Sequence, residues 1–247
     1  MARKLARAGG GGTVAIVPAR GGSKGIPRKN LCPVLGRPLL HYSVMAGLGA
    51  SSVDRVVVST EDAEIARVAA GMGAEVLDRP AGLATDEAPT IDVVLHALDA
   101  LEAQGQTVGA VVLLQPTSPL RTAADVDAAV GLWREGGCDS VVSVAMSDHP
   151  PQWSFTIEGG LLRPLFEDKF LRMRRQEVPA TYRTVGAVFV ASRDTLRRHH
   201  GFYGGRVRPY VMPKERSVDV DTELDLALVE LLMSRRDEAV ERRLTSP

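Results

Sequence analysis

Short apolar runs alternate along most of this chain with stretches in which apolar residues recur every three or four positions. The runs Thr13–Pro18, Arg55–Ser59, Glu75–Leu77, Ala110–Leu114 and Ser140–Val144 read as strands, being brief, aliphatic and followed by turn or polar residues. Between them, Leu39–Leu48, Ala63–Met72, Thr90–Gln104 and Ala123–Glu135 read as helices. In Ala63–Met72, for example, Ile65, Val68, Ala69 and Met72 fall on one face of a 3.6-residue repeat. Strands alternating with helices predict βα units, and therefore an α/β domain whose mostly parallel sheet is covered by helices on both faces, a three-layer Rossmann-like arrangement.

The alternation stops after Met146. The segment 148–183 holds Pro150, Pro151, Pro164 and Pro179, together with Trp153 and the basic cluster Arg172, Arg174 and Arg175. Prolines at this density interrupt helix and central strand alike, so the segment reads as an excursion from the sheet and not as a second domain. Strand character resumes over Thr184–Val190, and Thr222–Arg236 suits a last helix. The expected organisation is a basic, glycine-rich flexible tail (1–12), one domain (13–236) and a frayed end (237–247).

Composition narrows the classes. The 247 residues carry 30 basic and 30 acidic side chains, a formal net charge of zero, so no global attraction to nucleic acid is expected and an anion site has to be local. Aromatic content is 4%, leaving Val, Leu, Ala and Ile to build the core. Cys32 and Cys138 are far apart and form no metal or redox motif. The basic start lacks an apolar stretch of signal-peptide type, and no run approaches the roughly 20 apolar residues that span a bilayer. A soluble cytoplasmic protein without membrane contact is the expectation.

The chemistry begins after the first strand, at Ala19-Arg20-Gly21-Gly22-Ser23-Lys24-Gly25-Ile26-Pro27-Arg28-Lys29-Asn30. Glycines let backbone N–H groups approach an anion closely, and Arg20, Lys24 and Lys29 supply countercharge. A Walker A loop would need Gly-Lys-Ser/Thr opening a helix, whereas here Ser23-Lys24-Gly25 runs towards Pro27. The glycines at 9–12 precede the first strand, so they are not the dinucleotide fingerprint that follows one. The loop is a phosphate cradle of another kind, or a solvated turn.

A second concentration lies near the end. Asp219 and Asp221 flank Val220, so in an extended segment both carboxylates face one way. Two adjacent carboxylates repel, and a hard cation such as Mg²⁺ removes the penalty. Asp221 or Thr222 capping the last helix is the alternative, although it leaves Asp219 unexplained. Asp225, one turn further on, reads as a solvated helix residue. The five histidines suggest neither a shared metal nor a catalytic triad.

Taken together, Ala19–Gly25 with Lys29-Asn30, Val58-Ser59-Thr60, Arg79-Pro80, Leu83-Ala84-Thr85-Asp86, Leu114–Arg121, Met212-Pro213 and Ser217–Asp225 resemble, in order, the motifs of the acylneuraminate cytidylyltransferase family, which activates sialic acids. The resemblance covers residues 13 to 235. It implies a fold of the nucleotide-diphospho-sugar transferase type, Mg²⁺ as cofactor, and transfer of CMP from CTP to a sialic-acid-like nonulosonic acid with release of pyrophosphate. It further implies that Ala19, Arg20, Gly21, Ser23, Lys24, Lys29, Asn30, Arg79 and Thr90 bind the nucleotide, and that Asp219 and Asp221 hold the metal. Arg20, Lys24, Asp219 and Asp221 would be the catalytic set.

For the acceptor, the resemblance implies Gln115 as a sugar-acid contact. Arg174 and Arg175 lie in an Arg-Arg-Gln segment like the family's, and an arginine fork suits a carboxylate. Thr117 and Ser118 are adequately read as hydroxyls capping a loop. The family's excursion joins two subunits, so a homodimer is expected. The chain departs from the pattern at Pro89, where the family has the first hydroxyl of a pair, at Val185 before Gly186-Ala187, and at Gln152. These leave two alternatives: a cytidylyltransferase for 3-deoxy-octulosonate, legionaminate, pseudaminate or a hydroxyphosphonate, and a nucleotide binder without turnover. The intact Asp219/Asp221 pair argues against the binder.

Overall fold

The computed structural model describes the backbone of residues 11–245 and the side chains of residues 11–236. The expected tail over residues 1–10 lies outside the described residues, and Gly12 already belongs to the first strand. In chain order the elements are β1 (Gly12–Pro18), β2 (Pro33–Val34), β3 (Arg37–Pro38), α1 (Leu39–Gly49), β4 (Arg55–Thr60), α2 (Ala63–Gly71), β5 (Glu75–Asp78), α3 (Thr90–Ala103), β6 (Val108–Leu113) and α4 (Ala123–Arg134). They continue with β7 (Ser140–Met146), β8 (Phe155–Glu158), β9 (Leu161–Pro164), β10 (Tyr182–Ser192), α5 (Arg193–His199), β11 (Val207–Val211) and α6 (Glu223–Thr245).

Seven strands form the central sheet in the order β11-β7-β10-β6-β1-β4-β5. All run parallel except β10, which is antiparallel to both of its neighbours. Alternate residues of each strand enter opposite layers. Ala15 and Val17 of β1 meet α1, α2 and α4 through Leu40, Val44, Ile65, Val126 and Val130. Val14 and Ile16 meet α3 and α5 through Val94, Leu98, Leu101 and Leu196. The three-layer, mostly parallel α/β sheet read from the sequence is the one observed.

Side-chain caps set where the helices start. The Asp62 carboxylate accepts the N–H groups of Glu64 and Ile65 at 3.0 and 2.9 Å to open α2. Thr122 and Asp125 cap one another at the start of α4. Thr222 and Asp225 do the same for α6, so Asp225 is a capping residue and not an idle solvated one. α6 runs past the Arg236 limit, to Thr245, and packs Val229 and Met233 against Ile26, Val34, Leu39, Leu120 and Val220.

The sequence pattern did not show β11 or the β8–β9 hairpin. Pro209 in β11 is tolerated because that strand is at the edge and pairs only with β7. The excursion leaves the sheet after Met146, which pairs with Tyr182. In between stand β8 and β9, turned on Gly159-Gly160, and short 3₁₀ turns at Pro151–Trp153, Asp168–Arg172 and Arg175–Glu177.

One buried carboxylate ties the edge strand to the helical layer. Asp125 accepts from the Thr122 N–H and hydroxyl at 2.8 Å, the Tyr210 hydroxyl at 2.7 Å and the Arg216 guanidinium at 2.7 and 3.2 Å. Burial alone would raise its pKa, but these donors outweigh that and hold it below the ordinary carboxylate value. Burial and the bond to Asp125 push the Tyr210 phenol up to about 12. Because the folded-state pKa of Asp125 is depressed, its stabilisation is present above the unfolded pKa and is lost as pH falls through the folded value. Asp125→Ala is expected to cost about 3 kcal/mol in urea unfolding at neutral pH. The gap from the parent protein should shrink below about pH 4.

Candidate functional site: a cationic cleft at the carboxyl edge of the sheet

Parallel strands deliver their following loops to one edge, where open α/β sheets receive ligands. Here the loops after β1, β5 and β6, the start of α3 and the segment before α6 surround a cleft of about 690 Å³. Of the residues implied by the resemblance, Arg20, Ser23, Lys24, Lys29 and Asn30 line it from the first loop. Arg79, Thr90, Gln115, Asp219 and Asp221 line it from the others.

Two residues of the first loop have other work. Ala19 is fully buried in the core and donates its N–H to the Ser59 carbonyl at 3.0 Å. Gly21 does not line the cleft, and its N–H is taken by the Glu61 carboxylate at 2.7 Å. Both shape the loop from behind. Asn30 does so too, donating to the Arg20 carbonyl at 2.9 Å while also facing the cleft.

The charges that face the opening are held by an internal anion. Asp86 pairs with Arg20 at 2.6 Å and with Lys24 at 3.0 Å. Lys24 and then Arg20 hold its carboxyl below the ordinary value, so it stays ionised. Asp86 stands within a motif of the resemblance, yet only folding shows that it faces Arg20 and Lys24.

Arg79 is nearly completely buried, with 4% of its surface exposed. It donates to the Ser59 hydroxyl and carbonyl, and among the described residues no carboxylate forms an ion pair with it. Burial lowers its pKa, Glu61 opposes that, and Arg20 adds to it. A guanidinium taken out of water needs compensation, and an anion in the cleft is suited to supply it. Thr90 is the first residue of α3, behind an N-cap proline that offers no side-chain acceptor.

The two aspartates are fixed by different partners. Asp219 Oδ1 accepts from the hydroxyls of Ser118 at 2.5 Å and Thr117 at 3.3 Å, so the hydroxyls read as mere loop caps in fact orient this carboxylate. Asp221 Oδ1 accepts from Lys29 Nζ at 3.0 Å, and Lys29 also donates to the Val220 carbonyl at 2.9 Å. Val220 between them is buried. A Cβ on Gly25 would stand 2.5 Å from the Asp221 carbonyl oxygen; glycine is what lets the phosphate loop lie on the aspartate segment. Among the described residues no group of three or more His, Cys, Asp or Glu is placed to hold a metal. Two carboxylates on the wall of one cleft fit Mg²⁺ nonetheless, because that ion keeps waters and takes substrate phosphates as ligands.

Arg174 and Arg175 do not line the cleft of this chain. Arg175 donates to the Asp148 carbonyl at 2.7 Å, and the Arg174 N–H donates to Glu177 at 2.9 Å. Local spacing carries no information on where a proline-rich excursion points. Val185 is buried in the core and Gln152 is buried within the excursion; neither departure from the family pattern reaches the cleft wall.

Fold and cleft thus define an α/β protein with basic side chains and two aspartates lining one cleft at the carboxyl edge of its sheet. The sequence profile described as cytidylyltransferase matches residues 14–239, and the chain belongs to that family, in keeping with the resemblance read from its motifs. It is 35% identical over 92% of its length to CMP-N,N'-diacetyllegionaminic acid synthase of Legionella pneumophila, covering 98% of that protein. Identity to pseudaminic acid cytidylyltransferase of Campylobacter jejuni is 30%, over 89% of this chain and 95% of the relative. Against N-acylneuraminate cytidylyltransferase of Escherichia coli it is 31% over 91% of the chain, which spans 52% of that longer protein. Among solved structures, CMP:2-keto-3-deoxy-manno-octonic acid synthetase complexed with CTP superposes with a TM-score of 0.69 over 91% of this chain and 99% of the other, at 18% identity, which speaks for the fold alone.

If Asp86 occupies the anion position beside Arg20 and Lys24, removing its charge frees both cations. Asp86→Asn is expected to bind inorganic tripolyphosphate, without metal, on the order of three- to fivefold more tightly in calorimetry at low salt. The advantage should shrink at high salt. Equal or weaker binding would assign Asp86 another role.

Proposed function

We propose that this protein transfers CMP from CTP to a hydroxyl of a nonulosonic-type sugar acid and releases pyrophosphate. The observation that carries the reading is one cleft in which Arg20, Lys24 and the buried Arg79 face Asp219 and Asp221, in a chain of the cytidylyltransferase family. Its relatives are named for legionaminic, pseudaminic and acylneuraminic acids. With two of them covered almost end to end, these name the acceptor class.

In the proposed reaction the acceptor hydroxyl loses its proton to solvent and its oxygen bonds to the α-phosphorus. The bond from that phosphorus to the pyrophosphate oxygen breaks, and pyrophosphate leaves with that electron pair. Such a step asks the protein for alignment and for countercharge. Arg20, Ser23 and Lys24 hold the phosphates, with Lys24 nearest the transferring group. Asn30, Arg79 and Thr90 serve the nucleotide, and Gln115 the acid. Lys29 acts mainly by fixing Asp221 against the first loop. Asp219 and Asp221 would hold Mg²⁺, and the chemistry it would supply is neutralisation of phosphoryl charge.

A homodimer belongs to the same reading. In the β8–β9 ladder Phe155 faces Pro164 and Ile157 faces Leu162, so these four share one face. All four are exposed, Ile157 by 75% and Leu162 by 64%. A two-stranded hairpin is marginal in water without a covered face, and a second copy supplies the cover. Arg174 and Arg175, in the same excursion, would then serve the partner's acceptor. The same reading puts the reaction in the cytoplasm; separately, no helix among the described residues is long and apolar enough to cross a membrane.

Pyrophosphate release is expected with CTP and Mg²⁺ in a panel of these acids, and not with ATP or GTP. Lys24→Ala and Asp219→Ala should each lower kcat at least a hundredfold with unfolding midpoints close to the parent. Full activity in either variant removes the role given to that residue. Ile157→Asp combined with Leu162→Asp is expected to yield monomers by light scattering; an unchanged mass would show that another surface pairs the chains.

A further inference from the structure

The pairing of β10 with β7 is interrupted beside Gln115. It jumps from Thr184↔Val144 to Phe189↔Val142, so Val185–Val188 stand opposite Ser143 alone. A bulge of this size strips backbone groups of ladder partners, and two buried side chains replace them. The Ser143 hydroxyl donates to the Val185 carbonyl at 2.6 Å and accepts from the Val188 N–H at 2.9 Å. Arg121 donates through Nε to the Ala187 carbonyl at 2.5 Å. Ser143 is fully buried and Arg121 is 3% exposed.

The same arginine reaches the acceptor side. Its remaining nitrogens donate to the Ser43 hydroxyl at 2.6 Å and to the Gln115 carbonyl. That carbonyl also accepts from the Ser43 hydroxyl at 3.2 Å and the Ser118 N–H at 3.3 Å. Burial pushes the Arg121 guanidinium down to about 9, with the fields of Asp219 and Asp125 opposing it, so at neutral pH it remains a cation. A buried cation without a paired carboxylate is costly. An apolar residue in its place would leave the Ala187 and Gln115 carbonyls short of donors.

The bulge puts the Gly186 carbonyl on the Gln115 N–H at 3.2 Å. It also brings the Gly186 Cα under the Gln115 carboxamide, where an added Cβ would overlap Oε1. No hydrogen bond joins that carboxamide to any described residue, so packing against Gly186 is what sets its position in the cleft. We propose that Gly186, presented by the Arg121- and Ser143-stapled bulge, is the positioning residue that fixes the Gln115 carboxamide for recognition of the acceptor, and thereby a determinant of acceptor specificity. The inference rests on the assignment of Gln115 to the acceptor.

The test compares the parent, Gly186→Ala, Gln115→Ala and the double variant, using CTP, Mg²⁺ and the acid turned over best in the panel. Gly186→Ala is expected to raise KM for the acid roughly tenfold while KM for CTP stays within about twofold. In the double variant the effects should not multiply, because without the carboxamide there is nothing left to displace. Arg121→Lys, which keeps the charge and loses the fork, should show the same acid-selective rise. A lowered unfolding midpoint and apparent kcat without an acid-selective rise in KM would mark a general loss of fold and overturn the positioning role. An unchanged acid KM in Gly186→Ala, or effects that multiply in the double variant, overturns the positioning role. An unchanged acid KM in Gln115→Ala overturns the acceptor assignment beneath it.

Discussion

The ammonium group of Lys29 joins parts of the chain separated by 191 positions, donating to the Val220 carbonyl and to the Asp221 carboxylate. Around it Gly25 lies directly on the Asp221 backbone, and Ile26 and Val220 share a small core with α6. This docking turns two half-sites into one. The loop after β1 carries cations, the segment before α6 carries carboxylates, and the cleft is lined by both. Lys29 is largely buried, and its positive charge suits a position between phosphates and an aspartate.

Charge in the cleft is arranged so that the protein tolerates it without ligand. Asp86 answers Arg20 and Lys24 at the mouth, where both partners remain partly in water and the pairing is readily exchanged. Deeper in, the buried Arg79 guanidinium donates to Ser59, and among the described residues no carboxylate forms an ion pair with it. In the proposed reaction a triphosphate would displace the counter-ion at the mouth and compensate the cation of the interior. The net charge of zero confines this attraction to the cleft.

The antiparallel strand β10 organises the rest. Reversing one strand between β6 and β7 brings Gly186 to the carboxyl edge of β6. It also starts β10 from the excursion, so one strand runs from the segment that carries the apolar hairpin to the Gln115 end of the cleft. Arg121 and Ser143 keep the bulged strand paired, and Asp125 holds the neighbouring edge.

Much of this was legible in the linear chain. Periodicity marked β1, β4, β5, β6 and β7 and the helices between them to within a few residues, because a βα unit writes its burial pattern locally. The glycine-rich basic loop and the Asp219/Asp221 pair were visible as residue types suited to a polyanion and a metal. Tertiary structure alone decided which groups face each other. It withdrew Ala19 into the core, gave the Gly21 amide to Glu61, and turned Ser118 and Thr117 onto Asp219. It also left Arg174 and Arg175 outside the cleft of their own chain and set Gly186 beneath Gln115. The physical reason is range: helix and strand preferences act over a few residues. Hydrogen bonds and ion pairs such as those of Arg121, Asp86 and Lys29 depend on distances across the sheet edge that no local pattern records.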